Sequence, residues 1–386
     1  MGDDVNTVWA VVSGSLLVVM HGGIVMIVEG MTRRRTVSTG AARHLGGVIG
    51  AVLGVVVCGY ALGVSSGNQW YGSDGFFLLD VELAQRVTAD SATTGSLIFQ
   101  QIAISSLFGA LVMAALAERA TFVAHVLVGL VAGGFAVPLT RRSLETDGIL
   151  GSITIGDSGF VDSAAATLFT MSGWFALVGA MVIGPRLGRI GPSGDFRAIP
   201  GKSAAMVSAG TVVFLAGSIG LSALNTAAWS DDVATASLAV VIAGSAGAGS
   251  AALLGLRSVG FVDTSVVSRG FLVGVVSVSG SLLDVDPAPA LAIGAIGGVI
   301  AFVGVAQVER WQIDDPVGVV GVFGAGGVWA SLIANGLDSN QFFAQILGQL
   351  IVAAWSIVVA GVVFGGLRVL RVLRVRPELE IVGLDT

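Results

Sequence analysis

The three histidines of this 386-residue chain are its most versatile chemical groups, because an imidazole can donate, accept and relay protons. They are His21, His44 and His125, and each lies in, or at the edge of, a different apolar segment. None belongs to a zinc-protease motif, a catalytic triad order or a phosphate-binding loop. The sequence therefore predicts no enzyme, no metal site and no cofactor. His21 is the candidate for an intramembrane role, whereas His44 sits at a basic edge, where a side chain extends toward water.

A few further charges lie in or beside apolar segments, where a charge is costly. Arg269 either extends to the cytoplasm or faces a cavity or an acidic partner such as Asp263. In both cases we expect it to contact a polar or acidic group rather than lipid. Asp157 and Asp162 flank the predicted outer start of the fifth apolar segment, and each either caps a helix or lines an outer vestibule.

The elements that must position these residues are transmembrane helices. The chain is 54% apolar and only 11% charged, against roughly 25% charged residues in soluble domains. Its 57 glycines indicate helices that pack closely within lipid. One cysteine, Cys58, excludes a disulfide framework, and a net charge of −6 with a single lysine, Lys202, excludes a nucleic-acid-binding surface. We therefore predict an all-α polytopic membrane protein whose surroundings are membrane lipids.

Eleven apolar segments are long enough to cross a bilayer, for which about 20 residues are needed. They are 7–28, 45–65, 96–117, 121–139, 161–183, 203–224, 234–256, 264–283, 288–306, 316–335 and 344–367. The acidic start, Met1–Asp4, lacks the basic region of a signal peptide, so we expect the first span to be retained.

The distribution of positive charge predicts the orientation in the cell membrane. With the N-terminus outside and the C-terminus in the cytoplasm, the outer segments hold three basic residues, Arg86, Arg141 and Arg142. The inner segments hold sixteen: Arg33, Arg34, Arg35, Arg43, Arg119, Arg186, Arg189, Arg197, Lys202, Arg257, Arg269, Arg310, Arg368, Arg371, Arg374 and Arg376. This asymmetry favours an odd number of spans.

Five motifs in chain order resemble the ammonium transporter (Amt/Rh) family. They are Met20–Met31 with Arg33–Ser38, Phe99–Gln100 with Glu118–Arg119, Gly184–Arg186, Asp314–Gly327, and Leu367–Asp385. The resemblance implies two inverted five-helix halves, residues 1–183 and 184–335, followed by an eleventh helix and tail, 336–386. It also implies a homotrimer with one pore per subunit. Independent support comes from Phe169–Trp174 and Phe323–Trp329, which echo one another in spans five and ten as inverted repeats do.

At the centre of the pore this chain departs from the family that it resembles. The resemblance implies two pore histidines, one from span five and one from span ten, but Phe169 and Phe323 stand at the matching positions. A phenyl ring cannot replace the hydrogen bonds that a dehydrated solute loses. We expect the two rings to meet, or nearly meet, between the halves; the alternative is that they are ordinary core residues.

The pore mouth and the cytoplasmic motif complete the predicted sites. The family's mouth phenylalanines are matched by Ala103 or Ile104 and by Leu221, and Arg141 and Arg142 are expected to repel a cation there. Asp314 and Asp315 form the cytoplasmic motif, and the resemblance implies a regulatory signalling protein as a partner on that side.

Two classes of function therefore remain open. The protein is either a channel or transporter with weak or no ammonium conduction, including one for another small neutral molecule, or a non-conducting trimeric scaffold or sensor.

Overall fold

The computed structural model describes residues 2–34, 37–85, 92–145, 147–162, 165–223, 231–279, 285–333 and 339–382. These residues form α-helices and one small antiparallel sheet of two strands. The helices are α1 (Gly2–Met31), α2 (Val37–Gly54), α3 (Tyr60–Gly63), α4 (Thr94–Ala114), α5 (Phe122–Val131), α6 (Val137–Leu144), α7 (Ala166–Ile183), α8 (Ala204–Ala223), α9 (Asp231–Val259), α10 (Thr264–Ser277), α11 (Pro287–Arg310), α12 (Ala325–Leu332), α13 (Ser339–Val369) and α14 (Pro377–Val382). The strands are β1 (Thr154–Ile155) and β2 (Ser158–Gly159).

Short π-helical turns make three of the spans continuous. Val55–Gly59 joins α2 to α3, Ala132–Ala136 joins α5 to α6, and Val320–Gly324 leads into α12. A π-helical turn inserts one extra residue in the helix and often marks a functional position. The third of these turns contains Phe323.

Each of the eleven predicted spans has a helical counterpart among the described residues. Nine helices are long and apolar enough to cross a membrane: Asn6–Met31, Thr39–Gly63, Thr94–Ala114, Phe122–Leu144, Ala166–Ile183, Ala204–Leu221, Val233–Ser258, Pro287–Arg310 and Ser339–Val369. Two shorter apolar helices, Thr264–Ser277 and Val320–Leu332, correspond to the predicted eighth and tenth spans. The predicted fold class is confirmed.

Local sequence signals explain where several of these helices begin and end. The Thr121 hydroxyl accepts a hydrogen bond from the amide of Ala124 and so caps α5, and Asp263 caps α10 in the same way through Ser265. Gly184, with a φ of 81°, ends α7, and a proline follows it.

Glycines let α2 and α5 touch along their backbones. A Cβ added at Gly50 would overlap the carbonyl of Val126, and one at Gly54 would overlap that of Leu130. Larger residues would push the two helices apart. This close packing holds His44 of α2 and His125 of α5 on neighbouring helices.

Glycines also let span five pack closely against span ten. A Cβ at Gly173 in α7 would overlap the Cα of Gly324, and one at Gly327 would approach the amide nitrogen of Thr170 to 2.5 Å. Phe169 and Phe323 lie beside this crossing and are 1% and 2% exposed. The two repeated segments noted in the sequence therefore pack directly on each other.

The two ends of the molecule differ in structure. The hairpin face carries residues 154–159, where β1 pairs with β2. The tail face carries residues 115–121, 184–203, 311–316 and 370–382, and its segments are joined by hydrogen bonds such as Val375 N to the Arg119 carbonyl, at 2.9 Å.

Candidate functional site

Three phenyl rings meet in the core where α7 crosses the tenth span. The centroids of Phe169 and Phe323 are 5.5 Å apart, with 29° between their planes. Phe214 of α8 also contacts Phe323, with the ring centroids 5.8 Å apart and 49° between the planes. The expected contact between Phe169 and Phe323 is present. The three rings present aromatic carbon, which forms no ordinary hydrogen bond with a solute.

A cavity of about 350 Å³ lies beside the first turns of α7, near Phe169, and we call it the hairpin-side cavity; none of the three rings is among its lining residues. Its lining includes Leu168, the residue before Phe169. The other lining residues are Leu97, Gln100, Gln101, Ile104, Val137, Thr140, Arg141, Leu144, Glu145, Asp162, Ala165, Thr167, Met171 and Leu221. It is the candidate vestibule above the ring contact.

The structure separates the alternatives for the residues expected at the mouth. Ile104 and Leu221 line the hairpin-side cavity, whereas Ala103 is fully buried elsewhere. Asp162 also lines the cavity, but Asp157 occupies the exposed turn between β1 and β2 and does not. The reason is that α7 begins at Ala166 rather than at 161, so the preceding loop carries Asp162 to the cavity wall.

The expectation that two arginines repel cations at the mouth is wrong in detail. Arg141 lines the cavity, and its Nη1 donates to Oε1 of Gln101 at 3.0 Å. Arg142 instead donates to the carbonyl of Asn68 at 3.0 Å, within a surface loop. Arg141 shares the lining with two carboxylates, those of Glu145 and Asp162, so the lining carries a formal charge of −1.

On the tail face, Asp314 is the centre of a buried ion cluster. Its carboxylate accepts from Nη1 of Arg119 at 3.0 Å and from Nε of Arg186 at 2.8 Å, and Arg189 lies 3.5 Å away. Burial alone would raise the pKa of Asp314, but the guanidinium groups of Arg186 and Arg119 outweigh it and lower that pKa to about 2. The cluster links the end of span three, the end of span five and the start of span ten.

Asp315 and Arg269 together hold the start of the tenth span. Asp315 accepts hydrogen bonds from the amides of Gly318 at 2.9 Å and Val320 at 2.8 Å, which caps the helix. Arg269 donates to the carbonyls of Val317 at 2.8 Å and Pro316 at 2.9 Å. The predicted polar contact of Arg269 is therefore confirmed, and its partner is backbone.

His21 is hydrogen-bonded on both sides, and the prediction for His44 is wrong. The imidazole of His21 lies 3.1 Å from Nε2 of His44 and 3.0 Å from the hydroxyl of Ser106. His44 does not extend toward water, because α1 and α2 pack so that the two rings meet edge to face at 5.2 Å.

Comparison with known proteins places this geometry in a family. The sequence model of the Ammonium Transporter Family matches residues 8–386. The chain belongs to the ammonium transporter family. "Ammonium transporter Amt1" of Haloferax mediterranei is 31% identical over 99% of this chain and 77% of its own length. "Ammonium transporter Amt2" of Archaeoglobus fulgidus is 28% identical over 99% of this chain and 86% of its own length.

Solved structures of Amt and Mep proteins share the fold. The structure described as "Sensor Amt Protein" superimposes with a TM-score of 0.92 at 24% identity, covering 100% of this chain and 98% of that one. Candida albicans Mep2 gives a TM-score of 0.83 at 19% identity, covering 97% of this chain and 87% of its own. These likenesses establish the architecture of this ammonium transporter family member.

Sequence reasoning missed the partners of the Asp314 cluster and the chain of Ser106, His21 and His44. The signals for the first were present, because Arg119 and Arg186 lie in two of the motifs that carry the family resemblance. No pattern in a single sequence pairs residues that are 195 and 128 positions apart.

Proposed function

We propose that this ammonium transporter family member is a multi-pass membrane channel protein whose passage for ammonium is closed, so that it conducts ammonium weakly or not at all. The observation that carries the proposal is the 5.5 Å contact between Phe169 and Phe323 where span five crosses span ten. By resemblance, these two positions correspond to the pore histidines of the family. The contact of Phe214 with Phe323 supports the closure.

The size of the expected defect follows from lost hydrogen bonding. Burying a polar group without a partner costs roughly 2–7 kcal/mol, depending on the reference state. Since 1.36 kcal/mol on a barrier is about tenfold in rate, conduction should fall by roughly tenfold to a hundred-thousandfold. The physical closure by two facing rings adds to this barrier.

The alternative is a protein that binds ammonium at the mouth without conducting it, as a trimeric scaffold or sensor would. The charge of the hairpin-side cavity favours this reading, because the carboxylates of Asp162 and Glu145 outnumber the guanidinium of Arg141. The buried hydroxyl of Thr167, which has no hydrogen-bond partner in the described structure, also faces this space. A channel for another small neutral molecule is the remaining variant.

The assembly and orientation in this proposal rest on the family resemblance and on the arginine distribution. The protein forms a homotrimer in the cell membrane, with its tail face in the cytoplasm, where sixteen basic residues are predicted to lie. A cytoplasmic signalling protein is the candidate regulatory partner on that face.

Methylammonium uptake in a transporter-null host tests the closure. Wild-type protein should give uptake near background, and Phe169→His combined with Phe323→His should raise it, because imidazoles restore a polar lining. The matched control is Phe108→His combined with Phe175→His. That pair is another buried ring contact, at 5.0 Å, but it joins α4 to α7 and involves no residue of the tenth span.

Immunoblots of the membrane fraction would show that the variants are present at equal levels. Robust uptake by the wild type that survives Phe169→Ala and Phe323→Ala would overturn the proposal.

A further inference from the structure

A second, smaller cavity lies in the first half of the chain, away from the phenyl rings. It has a volume of about 50 Å³, lies between α1, α2, α4 and α5, and shares no lining residue with the hairpin-side cavity. We call it the histidine cavity, because His44 and His125 line it together with Glu29, Arg43 and Glu118. A site needs about 10–15 Å³ to hold one water, so this space is large enough for a small solute of a few heavy atoms or for a few water-sized molecules.

The hydrogen bond of His125 determines which of its ring nitrogens can accept. Nδ1 lies 2.8 Å from the carbonyl oxygen of Thr121. A carbonyl oxygen can only accept, so Nδ1 carries the proton of this contact. In the neutral ring, Nε2 is therefore an unprotonated acceptor, on a side chain that lines the cavity.

The chain of Ser106, His21 and His44 leads to the same result for His44. The Ser106 hydroxyl oxygen lies 3.0 Å from Nε2 of His21 and 3.1 Å from the carbonyl oxygen of Ala103. We assign the hydroxyl proton to the carbonyl, which can only accept, so that the Ser106 oxygen accepts from Nε2–H of His21. Nδ1 of His21 is then the acceptor for Nε2–H of His44, at 3.1 Å. This leaves Nδ1 of His44 without a proton.

Two imidazole lone pairs therefore belong to residues that line one small cavity. A solute that fits must donate at least two hydrogen bonds, because a buried acceptor without a donor is costly. Arg43 lines the same space and supplies N–H donors to a solute that also carries a lone pair.

The charges around the cavity distinguish a neutral solute from a cation. The groups that line or border it are Glu29, Arg43, Glu118, Arg33, Arg186 and Lys202. Lys202 pairs with Glu29 at 2.8 Å, and Glu118 is held by two arginines, at 2.6 and 3.2 Å. Since four basic groups surround two carboxylates, the environment disfavours an extra cation.

We propose that the histidine cavity binds one molecule of neutral ammonia, with N–H groups donated to Nδ1 of His44 and Nε2 of His125. Ammonia has three N–H bonds and one lone pair, which matches two acceptors and the guanidinium of Arg43. The choice of ammonia as the ligand rests on the proposed function, whereas the site itself rests on the hydrogen bonds described above.

Nitrogen NMR of histidine-labelled wild-type protein in lipid nanodiscs tests the site, because the chain has only three histidines. Single changes to glutamine, such as His125→Gln, assign the three rings. Titration with ammonium chloride at pH 8 should shift Nδ1 of His44 and Nε2 of His125. Equal concentrations of sodium chloride or of tetramethylammonium chloride, which has no N–H group, should not.

The pH dependence identifies the bound species. The fraction of neutral ammonia rises about tenfold per pH unit in this range, so the apparent dissociation constant for total ammonium should fall about tenfold between pH 7 and pH 8. A response independent of pH, a response confined to His21, or no response would each overturn the proposal. Binding is measured without transport, so a conducting wild type would refute the closed pore and leave this site intact.

Discussion

Replacing Asp314 by asparagine should strongly destabilise the protein while keeping the shape of the side chain. Asp314 is 1% exposed, and its carboxylate accepts from Arg186 Nε, Arg186 Nη2 and Arg119 Nη1 at 2.8, 3.0 and 3.0 Å. The amide of asparagine has no charge, and its NH2 group, which is a hydrogen-bond donor, would face an arginine N–H group that is also a donor. Asp314→Asn therefore leaves two buried guanidinium groups without their common counter-charge.

The magnitude follows from the burial of the partners. The side chains of Arg119 and Arg186 are 0% and 3% exposed, so water cannot replace the lost carboxylate. Removing one partner of a buried ion pair typically costs about 3–5 kcal/mol. Asp195→Asn is the matched control, because Asp195 pairs with Arg197 on the surface, where both side chains are about half exposed. A surface pair contributes only about 0–1 kcal/mol.

Thermal unfolding in mild detergent, followed by circular dichroism and by reactivity of Cys58, would measure both variants against the wild type. We expect a large loss of thermal stability for Asp314→Asn and almost none for Asp195→Asn. Equal stability of the two variants would refute the view that Asp314 holds the ends of spans three and five against the start of span ten.

Three further outcomes are expected. The pKa of Asp314 is lowered to about 2, so the ionised carboxylate contributes fully to the free energy of unfolding above its ordinary pKa of 3.8 and loses that contribution as the pH falls through 2. Acid titration should therefore lower the free energy of unfolding by about 2 kcal/mol in the wild type and by little in Asp314→Asn. Gly173→Ala should impair folding, since the new Cβ overlaps Gly324, whereas Gly361→Ala meets nothing within 4 Å; equal yields of stable protein would contradict this. Glu380→Gln should speed hydrogen exchange in residues 370–382, because this buried carboxylate holds the tail; unchanged exchange would show that the backbone contacts suffice.

The membrane fold was predictable because its main signal is local. A span needs about 20 apolar residues, and that requirement can be counted along the chain without knowing any contact. The π-helical turns were not predictable, since they arise where a neighbouring helix approaches, as at Ala132–Ala136 near Gly54 and Gly59. The start of α7 at Ala166, five residues later than the predicted start at 161, was not predictable either.

The candidate site was predictable only in part. The positions of Phe169 and Phe323 followed from motif spacing, and the contact of their rings was expected from the inverted halves. The contact between His21 and His44 was not, because both are isolated in sequence and their pairing depends on how α1 packs against α2. Whether a lone polar residue in a membrane helix has a partner is a property of packing, which one sequence does not encode locally.

The docking of the tail has a consequence for how the protein is made. The segment after α13 pairs with residues near Arg119, through Val375 N and a backbone bridge between Ala120 and Arg374. Glu380 then pairs with Arg374 and accepts from the amide of Leu187 at 2.7 Å. Because synthesis proceeds from the N-terminus, the first half must wait for the last described helix before these contacts can form. A nascent chain stalled before the tail would leave the Arg119 carbonyl and the Leu187 amide without these tail partners. Exposed polar backbone at the bilayer surface is a feature by which a membrane protease or chaperone can recognise incompletely synthesised chains.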